Sequence, residues 1–264
     1  NDFVIHLYGD ENILEKEISN FNISKDLVKI IHTESVVSDE ESPMTAVKNS
    51  KNTSMWNSVK AQIDGGADIS LSAGNTGVLL VISRMILKMM NEVSKPALAG
   101  LWPSKKGMSV VLDLGANIEC DENNLVDFSE MGAALFKSIF PNQKPYVSLL
   151  NIGSEEIKGT EMLKKAFLKL KGLSNENNFL FNGYIEGNEL MDGNSNVIVT
   201  DGFTGNIALK TAEGTAKFLV DNLKKSLSEN FFSKLSLVFS YFSLKKFKSK
   251  IDPRKYNGAI FLGL

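Results

Sequence analysis

The chain has 264 residues, of which 43% are hydrophobic, so it is long enough to bury one large core or two modest ones. The formal net charge of −2 gives no global reason to expect a nucleic-acid partner. The single cysteine excludes an internal disulfide framework and is typical of a reducing compartment. The sequence has no apolar run of about 18 residues that could span a membrane, and no signal-peptide pattern opens it.

Strands and helices are predicted to alternate along the chain. The predicted strands are 3–8, 28–32, 68–72, 97–101, 109–112, 146–150, 179–181 and 197–200, with a hairpin turn at 105–107. The predicted helices are 11–20, 55–63, 78–90, 123–139, 158–170 and 206–223. This order predicts a three-layer α/β/α fold with a mostly parallel sheet. In such a sheet the ligand site lies at the carboxyl ends of the strands.

Two of the predicted strand-to-helix turns share one pattern, (S/T)-x-G-x-T-G. Residues 72–77 read SAGNTG and residues 200–205 read TDGFTG, with Thr76 and Thr204 as the predicted N-caps. A glycine-containing turn before a helix exposes N–H groups where the helix dipole favours an anion. One such turn alone is more simply a capped βα connection. Because the pattern is repeated, we interpret both turns as facing one cleft and binding a phosphate or acyl-phosphate-like oxyanion.

Polar residues and glycines also follow three further predicted strands. These corners are Asp113–Asn117, Asn151–Lys158 and Asn182–Gly187. Turn chemistry explains part of this composition. Five such corners on one edge of a sheet nevertheless indicate the rim of an active site. Cys120 lies beyond the first of these corners and is interpreted as a packed residue, because no histidine is close to it in sequence.

The motifs that are missing limit the chemistry. The sequence contains no Gly-x-Ser-x-Gly elbow, no P-loop and no Rossmann fingerprint, and no His/Cys cluster that suggests zinc. No metal and no cofactor is therefore predicted. N–H donors, Asn side chains, carboxylates and lysines remain, and they suit direct transfer between two positioned substrates. Lys158 and Lys210 either supply positive charge to that site or are ordinary solvated lysines.

Seven motifs resemble the bacterial phosphate acyltransferase family of phospholipid synthesis. They are SAGNTG at 72–77, KPAL at 95–98, LDLGAN at 112–117, LLNIGSEEIKG at 149–159, NGYIEG at 182–187, TDGFTGNIALKTAEG at 200–214 and DPRKYNGA at 252–259. The resemblance covers most of the chain in the family's order. It implies an isopropylmalate-dehydrogenase-like fold, a homodimer, and transfer of a long-chain acyl group from acyl carrier protein to inorganic phosphate. It also implies a cytoplasmic, peripherally membrane-associated protein whose acyl phosphate passes to a membrane glycerol-3-phosphate acyltransferase.

The sequence departs from the family pattern at both ends. The family opens with a strand and a D-A-M-G-G-D turn and continues after NGA-x-x-LG with a Lys-Ser-His-Gly stretch, and neither occurs in these residues. For this reason a non-catalytic membrane-docked scaffold that binds carrier protein stays open as an alternative. A coenzyme A-dependent phosphate transacetylase-like enzyme is the rival within the enzymes. A dehydrogenase of related fold is disfavoured, because the sequence offers neither a metal-binding aspartate set nor a nucleotide site.

The resemblance and the turns together select the candidate residues. The predicted catalytic residues are Asn75, Thr76, Asp113, Asn117, Glu155, Lys158, Glu186 and Lys210. The predicted phosphate- and substrate-binding residues are Ser72, Gly74, Gly77, Asn151, Gly153, Asp201, Gly202, Thr204, Gly205 and Asn206.

The segment 223–256 differs from the catalytic core predicted at 1–222, to which 257–264 returns. Residues 223–255 carry nine basic side chains against two acidic ones, with aromatic residues between them. This composition is typical of an interfacial helix, to which anionic lipid contributes about 1 kcal/mol per basic residue. The predicted membrane contacts are Phe231, Phe232, Leu235, Phe239 and Phe242. A dimer-forming helical hairpin and a landing patch for the acidic carrier protein are the alternatives.

Overall fold

The computed structural model describes residues 3–21, 23–38, 43–173, 178–228, 240, 242–247 and 258–264. The chain divides into two compact units, Asn1–Glu92 together with Leu264, and Val93–Gly263.

The first unit contains a parallel pair of strands, β1 (Ile5–Gly9) and β2 (Val28–His32). Its helices are α1 (Glu11–Ser19), α2 (Pro43–Lys48), α3 (Ser54–Ile63) and α4 (Thr76–Ile86). Helices α3 and α4 form in apolar runs with helical spacing, and their buried faces pack together through Val59, Val78 and Ile82. This packing fixes the helix that the first (S/T)-x-G-x-T-G turn precedes.

The strand predicted at 68–72 is wrong. Its side chains do alternate: Ile69 and Leu71 are 82% and 91% exposed, whereas the Ser70 hydroxyl donates to the Ser58 carbonyl at 2.5 Å. Among the residues that the structure describes, however, no strand pairs with this segment. Instead, the segment and residues 3–8 line a cavity of about 830 Å³. Alternation predicts which side chains share a face, but a strand also needs a hydrogen-bonding neighbour.

The second unit is built on a sheet whose strand order is β6-β5-β7-β4-β3-β8. Its strands are β3 (Ala97–Ser104), β4 (Gly107–Leu112), β5 (Tyr146–Asn151), β6 (Leu180–Glu186), β7 (Val197–Val199) and β8 (Ala259–Leu262). The neighbouring strands from β6 to β4 are parallel, whereas β3 is antiparallel to both β4 and β8. The predicted hairpin between β3 and β4 is confirmed, and so is the mostly parallel α/β class.

Helices cover both faces of this sheet. One face packs against α5 (Glu122–Ile139) and α6 (Glu161–Leu173) around a core that includes Phe128, Leu149 and Leu170. The other face packs against α7 (Gly202–Ser228) through Val111 and Ile198. Side chains along a strand alternate between the two faces of the sheet, so successive residues of the buried strands pack into the two different cores. The second unit therefore has three layers, with the carboxyl ends of β4, β5, β6 and β7 on one edge.

Several boundaries differ from the predicted ones. Helix α4 ends at Ile86 rather than near residue 90, and α7 begins at Gly202 rather than at Asn206. Strand β6 extends to Glu186, so Asn182 and its neighbouring glycine lie inside a strand and not at a corner. A polar residue can lie inside this strand because β6 pairs with β5 and the Asn182 amide donates to the Ser195 hydroxyl at 3.1 Å. Polar composition alone therefore predicted a corner wrongly.

Most of the predicted membrane contacts, Phe231, Phe232, Leu235 and Phe239, lie outside the described residues. Phe242 belongs to a helical stretch at 242–247 and is exposed. Within the described part of the chain, no helix has both the length and the apolar composition needed to cross a membrane. Membrane contact at this segment stays a prediction.

Candidate active site

The first turn is closed by Asn75. Its side-chain oxygen accepts from the N–H groups of Gly77 at 3.0 Å and Val78 at 3.2 Å, so Asn75 and not Thr76 is the N-cap of α4. The predicted cap was wrong by one residue, because the amide of the residue before the helix reaches the second and third helical N–H groups. Ser72 accepts from the Gly74 N–H at 3.2 Å. The cap leaves the N–H and hydroxyl of Thr76 without a partner among the residues described.

The second turn is closed by an acid. The Asp201 carboxylate accepts from the Thr204 N–H at 2.8 Å and from the Thr204 hydroxyl at 2.7 Å. The first N–H of α7, that of Gly202, donates to the Asn117 carbonyl at 2.9 Å. The prediction of Thr204 as the N-cap was therefore also wrong. Asp201 stabilises the helix terminus but places a negative charge where an anion would bind.

The two glycines of the second turn are required by packing. A Cβ added at Gly205 would overlap the Asp113 carbonyl oxygen, and one added at Gly202 would lie 2.8 Å from the Asp113 carboxylate. Asn206 lies against the neighbouring corner, where a Cβ at Gly115 would be 3.6 Å from its carboxamide carbon. The N-terminal turn of α7 therefore packs directly against the corner that follows β4.

Asp113 organises that corner. Its carboxylate is fully buried and accepts from the N–H groups of Leu98, Gly115, Ala116 and Asn117 and from the Asn117 amide, at 2.8–3.1 Å. A carboxylate has about four lone-pair sites, so these five donors leave it no free capacity. The Asn117 amide also donates to the Pro96 carbonyl at 2.6 Å. Asp113 is therefore a positioning residue for the corner.

The corner after β5 is held by Asn151. Its buried side chain accepts from the Ile152 N–H at 2.9 Å and donates to the Lys158 carbonyl at 3.2 Å. A Cβ added at Gly153 would lie 2.8 Å from the Glu155 carboxylate and 3.1 Å from the Lys158 side chain. Glu155 and Lys158 thus flank one glycine, as the sequence predicted for a shared corner.

Two further candidates lie apart from these contacts. Glu186 ends the edge strand β6, in register with Asn151, and its N–H donates to the Glu189 carboxylate at 3.1 Å. Lys210 forms an exposed ion pair with Glu213 at 2.9 Å. The geometry favours the interpretation of Lys210 as an ordinary solvated lysine.

The Cys120 thiol is poorly suited to act as a nucleophile. Burial, together with the charge of Asp113, raises its pKa from the usual 9.0 to about 11. The thiol is therefore protonated near neutral pH, and only thiolates are good nucleophiles. This agrees with the interpretation of Cys120 as a packed residue.

The structure groups the candidates by unit. Asp113, Asn117, Asp201, Gly202, Thr204, Gly205 and Asn206 meet where the β4 and β7 corners touch, whereas Ser72, Gly74, Asn75, Thr76 and Gly77 belong to the first unit. The prediction that both turns face one cleft stays a prediction. Sequence reasoning missed the capping roles of Asn75 and Asp201, although Asn or Asp directly before a helix was a usable signal.

Two solved structures share the fold of this chain. EutD phosphotransacetylase from Staphylococcus aureus matches with a TM-score of 0.57 and 16% identity, covering 81% of this chain and 74% of that one. A phosphotransacetylase from Streptococcus pyogenes matches with the same score and identity, covering 80% and 73%. The fold is thus of the phosphotransacetylase-like α/β type.

The sequence comparison is more specific. Residues 1–264 match the model of the family described as "Fatty acid synthesis protein". Two similar proteins, both named phosphate acyltransferase, come from Pelagibacter ubique (54% identical, covering 98% of this chain and 77% of that protein) and Paramagnetospirillum magneticum (41% identical, covering 98% and 73%). The chain belongs to this family and is an enzyme of the phosphate acyltransferase type. The resemblance drawn from the seven motifs is confirmed.

Proposed function

We propose that this protein transfers a fatty acyl group from acyl-[acyl-carrier protein] to inorganic phosphate and releases an acyl phosphate for phospholipid synthesis. Membership of the family supports acyl transfer to phosphate. The observation that carries the site assignment is the N-terminus of α4, where a neutral amide caps the helix and Thr76 is exposed. A helix N-terminus attracts anions, and Asn75 adds no charge that would repel one.

Phosphate is bound in this proposal by the first turn. The N–H and hydroxyl of Thr76 donate to phosphate oxygens, and Asn75 orients the turn. An oxygen of phosphate then attacks the thioester carbonyl carbon. A C–O bond forms, the C–S bond breaks, and the electron pair leaves with the carrier thiol, which takes up a proton.

The second unit holds the acyl donor in this proposal. Its corners present Lys158, Glu155 and the polar start of α7 on one edge of the sheet. In this proposal the positive charge of Lys158 stabilises the oxyanion that develops on the carbonyl oxygen. Because the Cys120 thiol has its pKa raised to about 11, direct attack by phosphate is favoured over an acyl-enzyme formed on that thiol.

The second candidate function differs in the acyl donor. The structural neighbours are named phosphotransacetylase, and the alternative for this chain is a coenzyme A thioester in place of the carrier protein. The basic segment at 223–255 supports carrier protein, because it offers positive charge to an acidic partner. We extend the proposal to a homodimer at the membrane surface, with the acyl phosphate passed to a membrane glycerol-3-phosphate acyltransferase.

Turnover tests both candidates. Purified protein is mixed with long-chain acyl-carrier protein and phosphate, and release of free carrier thiol is followed. We expect phosphate-dependent release, reduced roughly 100-fold by Asn75→Ala and unchanged by Asn222→Ala at an exposed residue in the C-terminal part of α7. Equal turnover with acyl-coenzyme A would favour the second candidate. A folded protein without any release would leave the non-catalytic scaffold.

A further inference from the structure

Exposed isoleucines follow two strands of the second unit. Ile118 comes after β4, and Ile152 and Ile157 come after β5; they are 77%, 82% and 79% exposed. Isoleucine is among the residues most often fully buried in folded proteins. Phe203, in the first turn of the helix that follows β7, is exposed as well.

These four residues lie along one edge of the sheet. Strand β7 lies between β5 and β4, and the three strands are parallel, so their carboxyl ends are neighbours. Adjacent strands are about 4.8 Å apart, which places the corners within a short span. We call Ile118, Ile152, Ile157 and Phe203 the apolar rim.

The isoleucines after β5 are held in place. The buried Asn151 side chain bonds both to the Ile152 N–H and to the Lys158 carbonyl, which closes the loop that contains Ile157. The Lys158 N–H donates to the Glu155 carbonyl at 3.0 Å and makes a further turn within it. The apolar side chains are therefore presented at the surface by an ordered loop, and exposed apolar patches of this kind mark binding surfaces.

A phosphate acyltransferase must bind a molecule with a polar reacting end and a hydrocarbon chain. The apolar rim adjoins the polar corner built by Asp201, Thr204 and Asn117 on the same strand ends. We propose that the apolar rim binds the acyl chain of the donor and that Ile152 and Ile157 set the preference for chain length. This proposal rests on the proposed function.

The cavity of the first unit is the competing place for the chain. It is lined by residues 3–8 and by the exposed side chains of Ile69 and Leu71, and it extends to Gly74 in the first turn. The apolar rim differs from it in adjoining the polar corner of the second unit, where the proposed function places the acyl donor. A variant at Leu71 therefore distinguishes the two locations.

Kinetics with donors of two chain lengths tests the proposal. Acyl-carrier proteins with 16 and four carbons are compared for Ile152→Asn and Ile157→Asn. We expect the KM for the long donor to rise roughly tenfold and that for the short donor to change less than twofold. The matched control is Leu168→Asn, which places the same amide on α6 at a residue that is 66% exposed. It should leave both values unchanged.

Three results would overturn the proposal: equal changes for both donors, no change for either, or the chain-length effect appearing in Leu71→Asn in the first-unit cavity. A binding measurement separates this failure from failure of the proposed function. Calorimetry with a non-hydrolysable analogue of the donor, the thioether S-hexadecyl-pantetheine, needs no turnover. Tenfold weaker binding by Ile152→Asn, with Leu168→Asn like the wild type, supports the apolar rim even in a protein without transferase activity. Equal binding by the wild type and Ile152→Asn, or no binding at all, refutes it.

Discussion

Residues 72–77 and 200–205 carry the same pattern and both precede a helix, yet the side chains that close the two turns differ in charge. In the first turn the neutral side-chain amide of Asn75 accepts hydrogen bonds from the N–H groups of Gly77 and Val78. In the second turn the Asp201 carboxylate accepts a hydrogen bond from the Thr204 N–H. Both side chains cap a helix about equally well. Only the carboxylate cancels the positive end of the helix dipole.

The surroundings of the glycines differ as much as the caps. A Cβ at Gly74 would meet the flexible end of Met55 at 3.0 Å, whereas a Cβ at Gly205 would overlap the Asp113 main chain. The glycines of the second turn therefore serve close packing of α7 on the β4 corner. A shared pattern thus reports a shared local backbone, while the neighbouring elements decide what each turn does.

The largest expected effect follows from this difference in packing. Gly205→Ala should lower the free energy of unfolding by about 3 kcal/mol, because the new methyl group meets fixed backbone. Gly74→Ala should cost less than about 1 kcal/mol, because a methionine end can move. Urea denaturation of both variants measures the difference. Equal costs would contradict the assignment of distinct packing roles to the two turns.

The next effect concerns the Cys120 thiol, which lies near the charge of Asp113. With its pKa raised to about 11, the thiolate fraction at pH 8 is roughly 100-fold below that of a thiol with pKa 9.0, partly offset by greater nucleophilicity. Alkylation by iodoacetamide should therefore be roughly tenfold slower than in the urea-unfolded chain, and its rate should keep rising with pH between 9 and 11. A rate that levels off near pH 9 would show that the thiol is not buried beside Asp113.

These contrasts show which features the sequence could predict. Strand β2 and the β3–β4 hairpin are where the pattern placed them, because turn residues and apolar spacing are local signals. The hydrogen-bond acceptor sites of the Asp113 carboxylate are all occupied because the Leu98 N–H reaches the corner at 113–117. Leu98 is distant in sequence, so no local signal predicts this contact. The segment at 68–72 shows the same limit, since its alternation was real and its pairing was not.

The smallest effect is the most direct test of the two caps. Asn75→Asp keeps a good N-cap but adds a charge beside the proposed phosphate, and about 1 kcal/mol of repulsion in water corresponds to roughly a fivefold higher KM for phosphate. Asp201→Asn removes a charge from the other turn and should change that KM less than twofold. Steady-state kinetics at low and high salt measures both, and screening should shrink the first effect.

The pattern of outcomes locates the phosphate. A lower KM in Asp201→Asn with no change in Asn75→Asp would place phosphate at the second turn and contradict its assignment to the first turn. Comparable and opposite changes in both variants would mean that both charges act on one bound phosphate, which is what the repeated pattern first predicted. A change confined to Asn75→Asp would leave the acidic cap of α7 with a structural role, since a turn that already holds a carboxylate has no electrostatic reason to attract a second anion.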